Sequence, residues 1–380
     1  MGSELLRAAV IGSGFVGPFH VDAVRRGGIG EVVIVAGSNR ERTAAKAAGL
    51  GVRGTTNLDD IFDDATIDVV HVCTPNWSHV ELATRALQAG KHVIVEKPLA
   101  LTLEDARGLA DLARQKQLHG LVAFTYRGYP MVRRARQLVA DGELGGLRLV
   151  HGHYLQDWLS QETDYNWRLE PRAGASRAVA DVGSHWFDTA QYITGSRITT
   201  VLADLATFLP VRQRPLQETE AFVEATGVRE AVEIGSEDAA TILVRFEDGA
   251  RGAAVLSQVS PGRKNAFGLE IAGSDASLAW EQERPESLWI GTRDESRGLV
   301  RQPAPVRHGL QSLPSGHPEG WAEAMRDLLR DFYGAIVDGL PPAEAAEAGI
   351  YPTLDDGARA VALVEAVMES ARTDAWATSA

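Results

Sequence analysis

Apolar residues follow two different rhythms along this chain, and the change between them divides it. Up to about Tyr126, short unbroken apolar runs alternate with longer amphipathic stretches. The runs Ala8-Ala9-Val10-Ile11, Val32-Val33-Ile34-Val35-Ala36, Val69-Val70-His71-Val72, Val93-Ile94-Val95 and Leu121-Val122-Ala123-Phe124 read as buried strands. Between them the pattern predicts helices to about Arg26, from Glu41 to Ala48, from Leu58 to Asp64, up to Gly90, and from Thr102 to about Gln117. Gly90 suits a C-cap, and Thr102 with Asp105 a capping box. Strands linked in this way by helices form a doubly wound parallel sheet, so residues 1–126 are expected to be an α/β domain of Rossmann type. A sixth strand leaves no signal that places it.

Beyond Tyr126 the order changes. Leu147 to Tyr154, Thr200 to Phe208, Ala240 to Phe246, Gly252 to Gln258, Leu269 to Ala272 and Ser277 to Trp280 read as strands, and Asp248-Gly249 is a tight-turn signal joining two of them directly. Such strands are antiparallel neighbours, so residues 127–380 are expected to form an α+β domain on a large, mainly antiparallel sheet. Arg212 to Glu237 looks like a long acidic loop, and helices are expected from about Glu319 to Val337 and from Leu354 to Arg372.

Chemistry enters where the buried runs stop. The fourth long run ends in Glu96-Lys97-Pro98, which delivers an acid and a lysine to a sheet edge, where parallel α/β sheets hold ligands. Taken alone, Lys97 reads first as a solvated residue at a strand end. The first run passes into Gly12-Ser13-Gly14-Phe15-Val16-Gly17 and then a helix, the order of a dinucleotide fingerprint: a glycine for the tight turn, one for close approach to a pyrophosphate, one for helix packing. Asp181-Val182-Gly183-Ser184-His185 opens a helical pattern ended by Gly195, and its four-residue spacing places an acid and a titratable base on one face. A core histidine satisfied by its own helix is the competing reading.

Size and charge narrow the partners. A chain of 380 residues suits two domains, and a net charge of -13 argues against nucleic acid or an anionic membrane. Cys73 is the single cysteine, which excludes an intrachain disulfide and a cysteine-built metal site and fits a reducing cytoplasm. No apolar run reaches membrane-spanning length, and Met1-Gly2-Ser3-Glu4 leads into a strand-like run without the pattern of a secretion signal. A small-molecule substrate is expected, with no metal.

Together the glycine loop, Cys73-Thr74-Pro75-Asn76, Glu96-Lys97-Pro98 and Asp181 to His185 resemble the Gfo/Idh/MocA family of sugar and polyol dehydrogenases. The resemblance implies a Rossmann domain followed by a domain with a large open sheet, and a catalytic set of Lys97, Asp181 and His185. It also implies an NAD(P) site lined by Gly12, Gly14, Phe15, Val16, Gly17, Ser38, Asn39, Arg40, Thr74, Pro75, Asn76, His79, Glu96 and Lys97. Tyr165-Asn166-Trp167-Arg168 and Gly316 to Trp321 look like segments that sugar-oxidising members carry near substrate. Tyr126, Arg127, Trp158, Trp167 and Arg168 join the catalytic set as expected substrate contacts, and Trp77, Trp186 and Trp321 lie in segments expected to face the cleft.

The expected reaction is oxidation of a secondary hydroxyl on a neutral sugar, sugar derivative or cyclitol. His185 is the expected base, Asp181 its orienting group and Lys97 the donor to the reacting oxygen. Arg127 and Arg168 are the reservation, since together they could hold a carboxylate or phosphate. A glycosidase acting by transient oxidation and a non-catalytic dinucleotide-binding regulator are the alternatives. Ala36 is followed by Gly37-Ser38-Asn39-Arg40, with no acid for the ribose hydroxyls, so NADP is expected to serve at least as well as NAD. A homo-oligomer built through the C-terminal sheet is expected.

Overall fold

The computed structural model describes residues 5–216, 227–303 and 313–379. The chain divides into two compact units, one of Met1–Tyr129 with Pro303–Ala358, the other of Pro130–Gln302 with Arg359–Ala380. In the first unit β1 (Leu6–Ile11), α1 (Gly17–Gly27), β2 (Gly30–Ala36), α2 (Arg40–Leu50), β3 (Arg53–Thr55), α3 (Asp59–Phe62), β4 (Val69–Val72), α4 (His79–Gln88), β5 (His92–Val95), α5 (Leu103–Lys116) and β6 (Gly120–Val122) follow in order. The strands form one parallel sheet in the order β3-β2-β1-β4-β5-β6. The order reverses at β1 and β4, which creates the switch point where such sheets bind ligands.

Burial explains which strands were legible. Val69, Val70, Val72, Val93, Ile94 and Val95 are all 0% exposed, as all-apolar runs require. The sixth strand is β3, an edge strand of Arg53, Gly54 and Thr55 with no large apolar side chain to announce it. Thr102 accepts a hydrogen bond from the Asp105 amide and caps α5.

The second unit contains α6 (Pro130–Ala140), β7 (Leu147–Leu155), α7 (Ser184–Thr194), β8 (Ile198–Ala206), β9 (Val211–Pro215), β10 (Arg229–Glu233), β11 (Ala239–Phe246), β12 (Arg251–Ser257), β13 (Ala266–Gly273), β14 (Ala276–Glu281), β15 (Ser287–Thr292) and β16 (Ser296–Val300). Then come α8 (Trp321–Val337), α9 (Pro342–Glu347), α10 (Leu354–Thr373) and β17 (Ala377–Thr378). Nine strands form a sheet in the order β16-β15-β14-β13-β7-β12-β11-β8-β17, antiparallel except for the β7–β12 pair. Gly249 has φ +95° in the Asp248-Gly249 turn between β11 and β12. Their registers place Leu149, Leu243, Val255 and Trp289 on one face of the sheet, each 43–45% exposed.

Two expectations are corrected. A single cut at 126 does not divide the chain, because α8 belongs to the first unit: Met325, Leu328, Leu329 and Phe332, at helical spacing, share a core with Ala8, Val10, Val21 and Val24. The segment Arg212 to Glu237 is not all loop either. β9 and β10 pair as an antiparallel ribbon, while residues 217–226 lie outside the described residues. Buried Arg212 anchors that ribbon, and its charge disguised the strand. Among the described residues no helix is long and apolar enough to cross a membrane.

Candidate active site

The glycine loop leaves β1 at its C-terminal end, and the three glycines answer to different constraints. Gly12 has φ +115°, and a Cβ there would come within 2.5 Å of the Cys73 carbonyl after β4. At Gly17 a Cβ would lie 2.0 Å from Gly12 O. Folding therefore requires both. A Cβ at Gly14 would meet no protein atom within 4 Å, so the fold makes no demand there. Close approach by a pyrophosphate is the demand that remains, and the residues present fit a dinucleotide. Val16 is the N-cap residue of α1, and Phe15 is half exposed. At the end of β2, Ser38, Asn39 and Arg40 are exposed, with Asn39 Oδ1 accepting from the Arg42 amide to cap α2.

The loops after β4 and β5 are tied together by a buried histidine. His79, 1% exposed, places Nε2 2.8 Å from Thr74 O and Nδ1 2.8 Å from Pro98 O. The ring is thus a clamp between two main-chain segments, and burial lowers its pKa. Thr74 Oγ1 accepts from Ser78 Oγ at 2.7 Å, Pro75 precedes the short 3₁₀ turn Asn76–Ser78, and Asn76 is buried. Glu96 Oε1 lies 3.0 Å from His20 Nε2, and Glu96 Oε2 accepts from the Lys97 amide at 3.3 Å. Burial would raise the Glu96 carboxyl, but the His20 hydrogen bond and the Lys97 and His79 side chains outweigh it and hold it below the usual range. Lys97 itself is half-buried, at a cis Lys97-Pro98 bond.

Tyr126 and Arg127, expected as substrate contacts, are both buried. Tyr126 is 2% exposed and stacked on Tyr129 at 5.8 Å, and Arg127 is buried against Asp356 at 3.1 Å.

In the second unit Asp181 sits in a wide turn, Val179–Gly183, closed by the Ser184 amide bonding back to Val179 O, and His185 follows in the first turn of α7. His185 is 8% exposed, with its ring 6.3 Å from Tyr154. Asp181 is held on both oxygens: Gln258 Nε2 donates to Oδ2 at 2.7 Å, and Arg168 Nε lies 3.3 Å from Oδ1. Arg168 stands over the rings of Trp167 at 4.4 Å and Trp158 at 5.9 Å. Behind Gln258 lies a fully buried ion cluster. Arg177 donates to Gln258 Oε1 at 3.1 Å and pairs with Asp238, which also holds Arg212 at 2.9 Å. Glu237 Oε1 accepts from the Arg177 and Val179 amides, fixing the start of the wide turn.

The expected residues thus gather as two groups, Thr74, Asn76, His79, Glu96 and Lys97 within the first unit, and Trp158, Trp167, Arg168, Asp181 and His185 within the second. Trp186 is corrected to a core residue, 0% exposed and edge-on to Phe187. Trp321 lies in the first unit, edge-on to Phe19 at 5.2 Å. Gln258 and His20 were missed. Neither carries a sequence signal, because each matters only through a partner distant in the chain.

Comparison with known proteins bears on both units. Residues 6–124 match the oxidoreductase family with an NAD-binding Rossmann fold, and residues 132–279 match the GFO/IDH/MocA C-terminal domain. Levoglucosan dehydrogenase of Pseudarthrobacter phenanthrenivorans is 30% identical over 98% of this chain and 97% of its own. A structure of levoglucosan dehydrogenase with NADH and levoglucosan superposes with a TM-score of 0.86 at 29% identity, covering 99% of each chain. An inositol dehydrogenase homolog from Azotobacter vinelandii, solved with NADH and myo-inositol, gives 0.82 at 27% identity over 99% of this chain and 98% of that one. The chain belongs to the Gfo/Idh/MocA family of NAD-binding oxidoreductases, close to its sugar and cyclitol dehydrogenases.

Proposed function

We propose that this enzyme oxidises a secondary hydroxyl of a neutral sugar, sugar derivative or cyclitol. His185 takes the hydroxyl proton as general base, Asp181 orients His185, and Lys97 donates a hydrogen bond to the reacting oxygen and stabilises charge developing there. When bound, the nicotinamide accepts a hydride from the substrate carbon. The glycine loop, Ser38, Arg40, Thr74, Asn76 and Glu96 hold that cofactor, while Trp158 and Trp167 offer flat apolar faces to a ring polyol. The observation that carries the substrate class is the state of the two arginines. Arg127 is paired with Asp356 and Arg168 with Asp181, so neither side chain is left to recognise an acidic or phosphorylated sugar.

The test is a screen for reduced cofactor on free levoglucosan, myo-inositol, simple aldoses and their phosphates. Activity confined to phosphorylated or acidic sugars sinks the neutral-substrate reading. Net formation of reduced cofactor separates this dehydrogenase from a glycosidase that only oxidises transiently and from a regulator without turnover. We also propose that the sheet face bearing Leu149, Leu243, Val255 and Trp289 is covered in a homo-oligomer, which light scattering tests, with Trp289→Glu expected to yield smaller species. We also propose a cytoplasmic location, which the single, unpaired and buried Cys73 supports.

A further inference from the structure

Three titratable side chains of the first unit that the proposed reaction does not use form a chain ending on Glu96. Tyr333 Oη lies 2.8 Å from His71 Nε2, His71 Nδ1 lies 2.9 Å from His20 Nδ1, and His20 Nε2 lies 3.0 Å from Glu96 Oε1. His20 and His71 are 0% exposed and Tyr333 is 2% exposed. With Glu96 they come from α8, β4, α1 and the end of β5, so the fold assembles the chain from distant parts of the sequence.

Hydrogen-bond chemistry fixes its direction. Among the described residues, His71 Nε2 is the one hydrogen-bond partner of Tyr333 Oη, so the phenol proton points at that nitrogen. His71 then carries its own proton on Nδ1 and donates to His20 Nδ1. That leaves the His20 proton on Nε2, facing the Glu96 carboxylate. Every proton points one way. The reverse order would leave a buried phenol proton without an acceptor among the described residues. Burial and the neighbouring His20 ring push His71 well below the ordinary histidine range, and burial raises the Tyr333 phenol, which agrees with a neutral ring and an intact O–H. Lys97, His79 and the Cys73 thiol are the other titratable groups around Glu96.

We propose that Tyr333, His71 and His20 are positioning residues whose one-way hydrogen-bond chain locks the Glu96 carboxylate against the Lys97 amide and so fixes the turn from which Lys97 leaves the sheet. The proposal rests on Lys97 being a site residue.

The test uses the full chain labelled with ¹⁵N-histidine, with assignments from His20→Gln and His71→Gln. Ring-nitrogen shifts at neutral pH are expected to show His71 protonated on Nδ1 and His20 on Nε2, and a His71 proton on Nε2 overturns the chain. In a second arm, Tyr333→Phe is expected to lower kcat about tenfold while the KM values for sugar and cofactor stay within about twofold. His20→Gln, whose amide can still donate to Glu96, is expected to keep more of the rate than His20→Leu. Lower melting temperatures with wild-type kcat per folded molecule, and equal rates for the two His20 variants, overturn the positioning role. The ring tautomers need no turnover, so a failure to oxidise any sugar counts against the dehydrogenase reading and leaves the chain to be decided by the nitrogen shifts.

Discussion

Behind Lys97 the first unit buries imidazoles and a phenol, while behind Asp181 the second unit buries an ion cluster. His20, His71 and Tyr333 reach Glu96 through hydrogen bonds between groups that can gain or lose protons. Arg177, Arg212 and Asp238, with side chains 0% exposed, reach Asp181 through Gln258 as an ion cluster of two guanidiniums on one carboxylate. Both devices hold a carboxylate in place, yet they fail differently. A chain of neutral rings is disturbed by acid, whereas an ion cluster is disturbed by the loss of one member, because the partners stay charged and lose their compensation.

The largest effect is expected where that support meets chemistry. His185→Ala removes the proposed base and should lower kcat by about a hundredfold to ten-thousandfold, with smaller changes in binding. Asp181→Asn should do less harm, since it keeps a hydrogen bond while losing charge. Lys97→Arg should recover little of the rate lost in Lys97→Ala, because a planar guanidinium differs in shape and reach from an ammonium. The measurement is the pH profile of the oxidation rate. If the low-pH limb persists unchanged in His185→Ala, another group is the base and Lys97 leads.

Next in size is the ion cluster. Asp238→Ala strands two buried guanidiniums and should destabilise the protein by about 3–5 kcal/mol, read from urea unfolding. A loss below about 1 kcal/mol, the range of an exposed pair, would mean that water reaches the cluster and that the contrast between the units is not one of buried charge.

The same contrast explains what was legible in the sequence. All-apolar runs such as Val93-Ile94-Val95 and glycines forced by sterics, Gly12 and Gly17, leave local traces because one short segment states the requirement. The motifs proposed to be reactive are compact for the same reason and so could be picked out in the sequence. What escaped was made by pairing across the chain: β3, whose Arg-Gly-Thr has no burial pattern, and the β9–β10 ribbon, whose strand character depends on Arg212 meeting Asp238. The supports for Asp181 and Glu96 escaped too, since Gln258 lies 77 positions from Asp181 and His20 lies 76 from Glu96. The tryptophans misled in the other direction, because an indole that fits a sugar also fits a core, as Trp186 does.

Acid should act mainly on the first unit, which holds four of the five histidines with lowered pKa among the described residues, His153 of the second unit being the fifth. His92 Nδ1 accepts the His119 amide at 2.9 Å, so a second ring proton must break that bond, and burial together with nearby His119 lowers its pKa from 6.5 to about 4. A histidine with a depressed folded value contributes stability that is present above its unfolded pKa and lost as pH falls toward the folded one. The window is therefore pH 6.5 down to about 4, and the loss is about 3 kcal/mol from this residue. His71, His79 and His119 are lowered in the same direction. His92→Asn, which keeps an acceptor for the amide without a titrating ring, should flatten the fall in urea midpoint between those pH values. An unchanged slope would move the acid sensitivity elsewhere.

The smallest expected effect concerns the cofactor's adenosine end. β2 stops at Ala36, and a Cβ on Gly37 would lie 2.3 Å from Thr43 Oγ1 and 2.5 Å from Ser13 Oγ, so the strand end packs directly beside the glycine loop. In the proposed cofactor site the next residues, Ser38, Asn39 and Arg40, would meet the ribose of a dinucleotide on that loop. Asn39 is occupied in capping α2, and Glu31, at the opposite end of β2, pairs with Arg7 at 3.0 Å. That leaves the Ser38 hydroxyl and the Arg40 guanidinium, both suited to a 2'-phosphate and neither replacing an acid on free ribose hydroxyls. NADP should accordingly give a kcat/KM at least equal to that of NAD, even though the levoglucosan and inositol enzymes were solved with NADH. Arg40→Ala should lower kcat/KM for NADP about tenfold, the loss of one charge-assisted pair, and leave NAD nearly untouched. A strong preference for NAD that is the same in wild type and Arg40→Ala would show that Arg40 only opens an exposed helix, and that the cofactor is chosen by groups elsewhere on the loop.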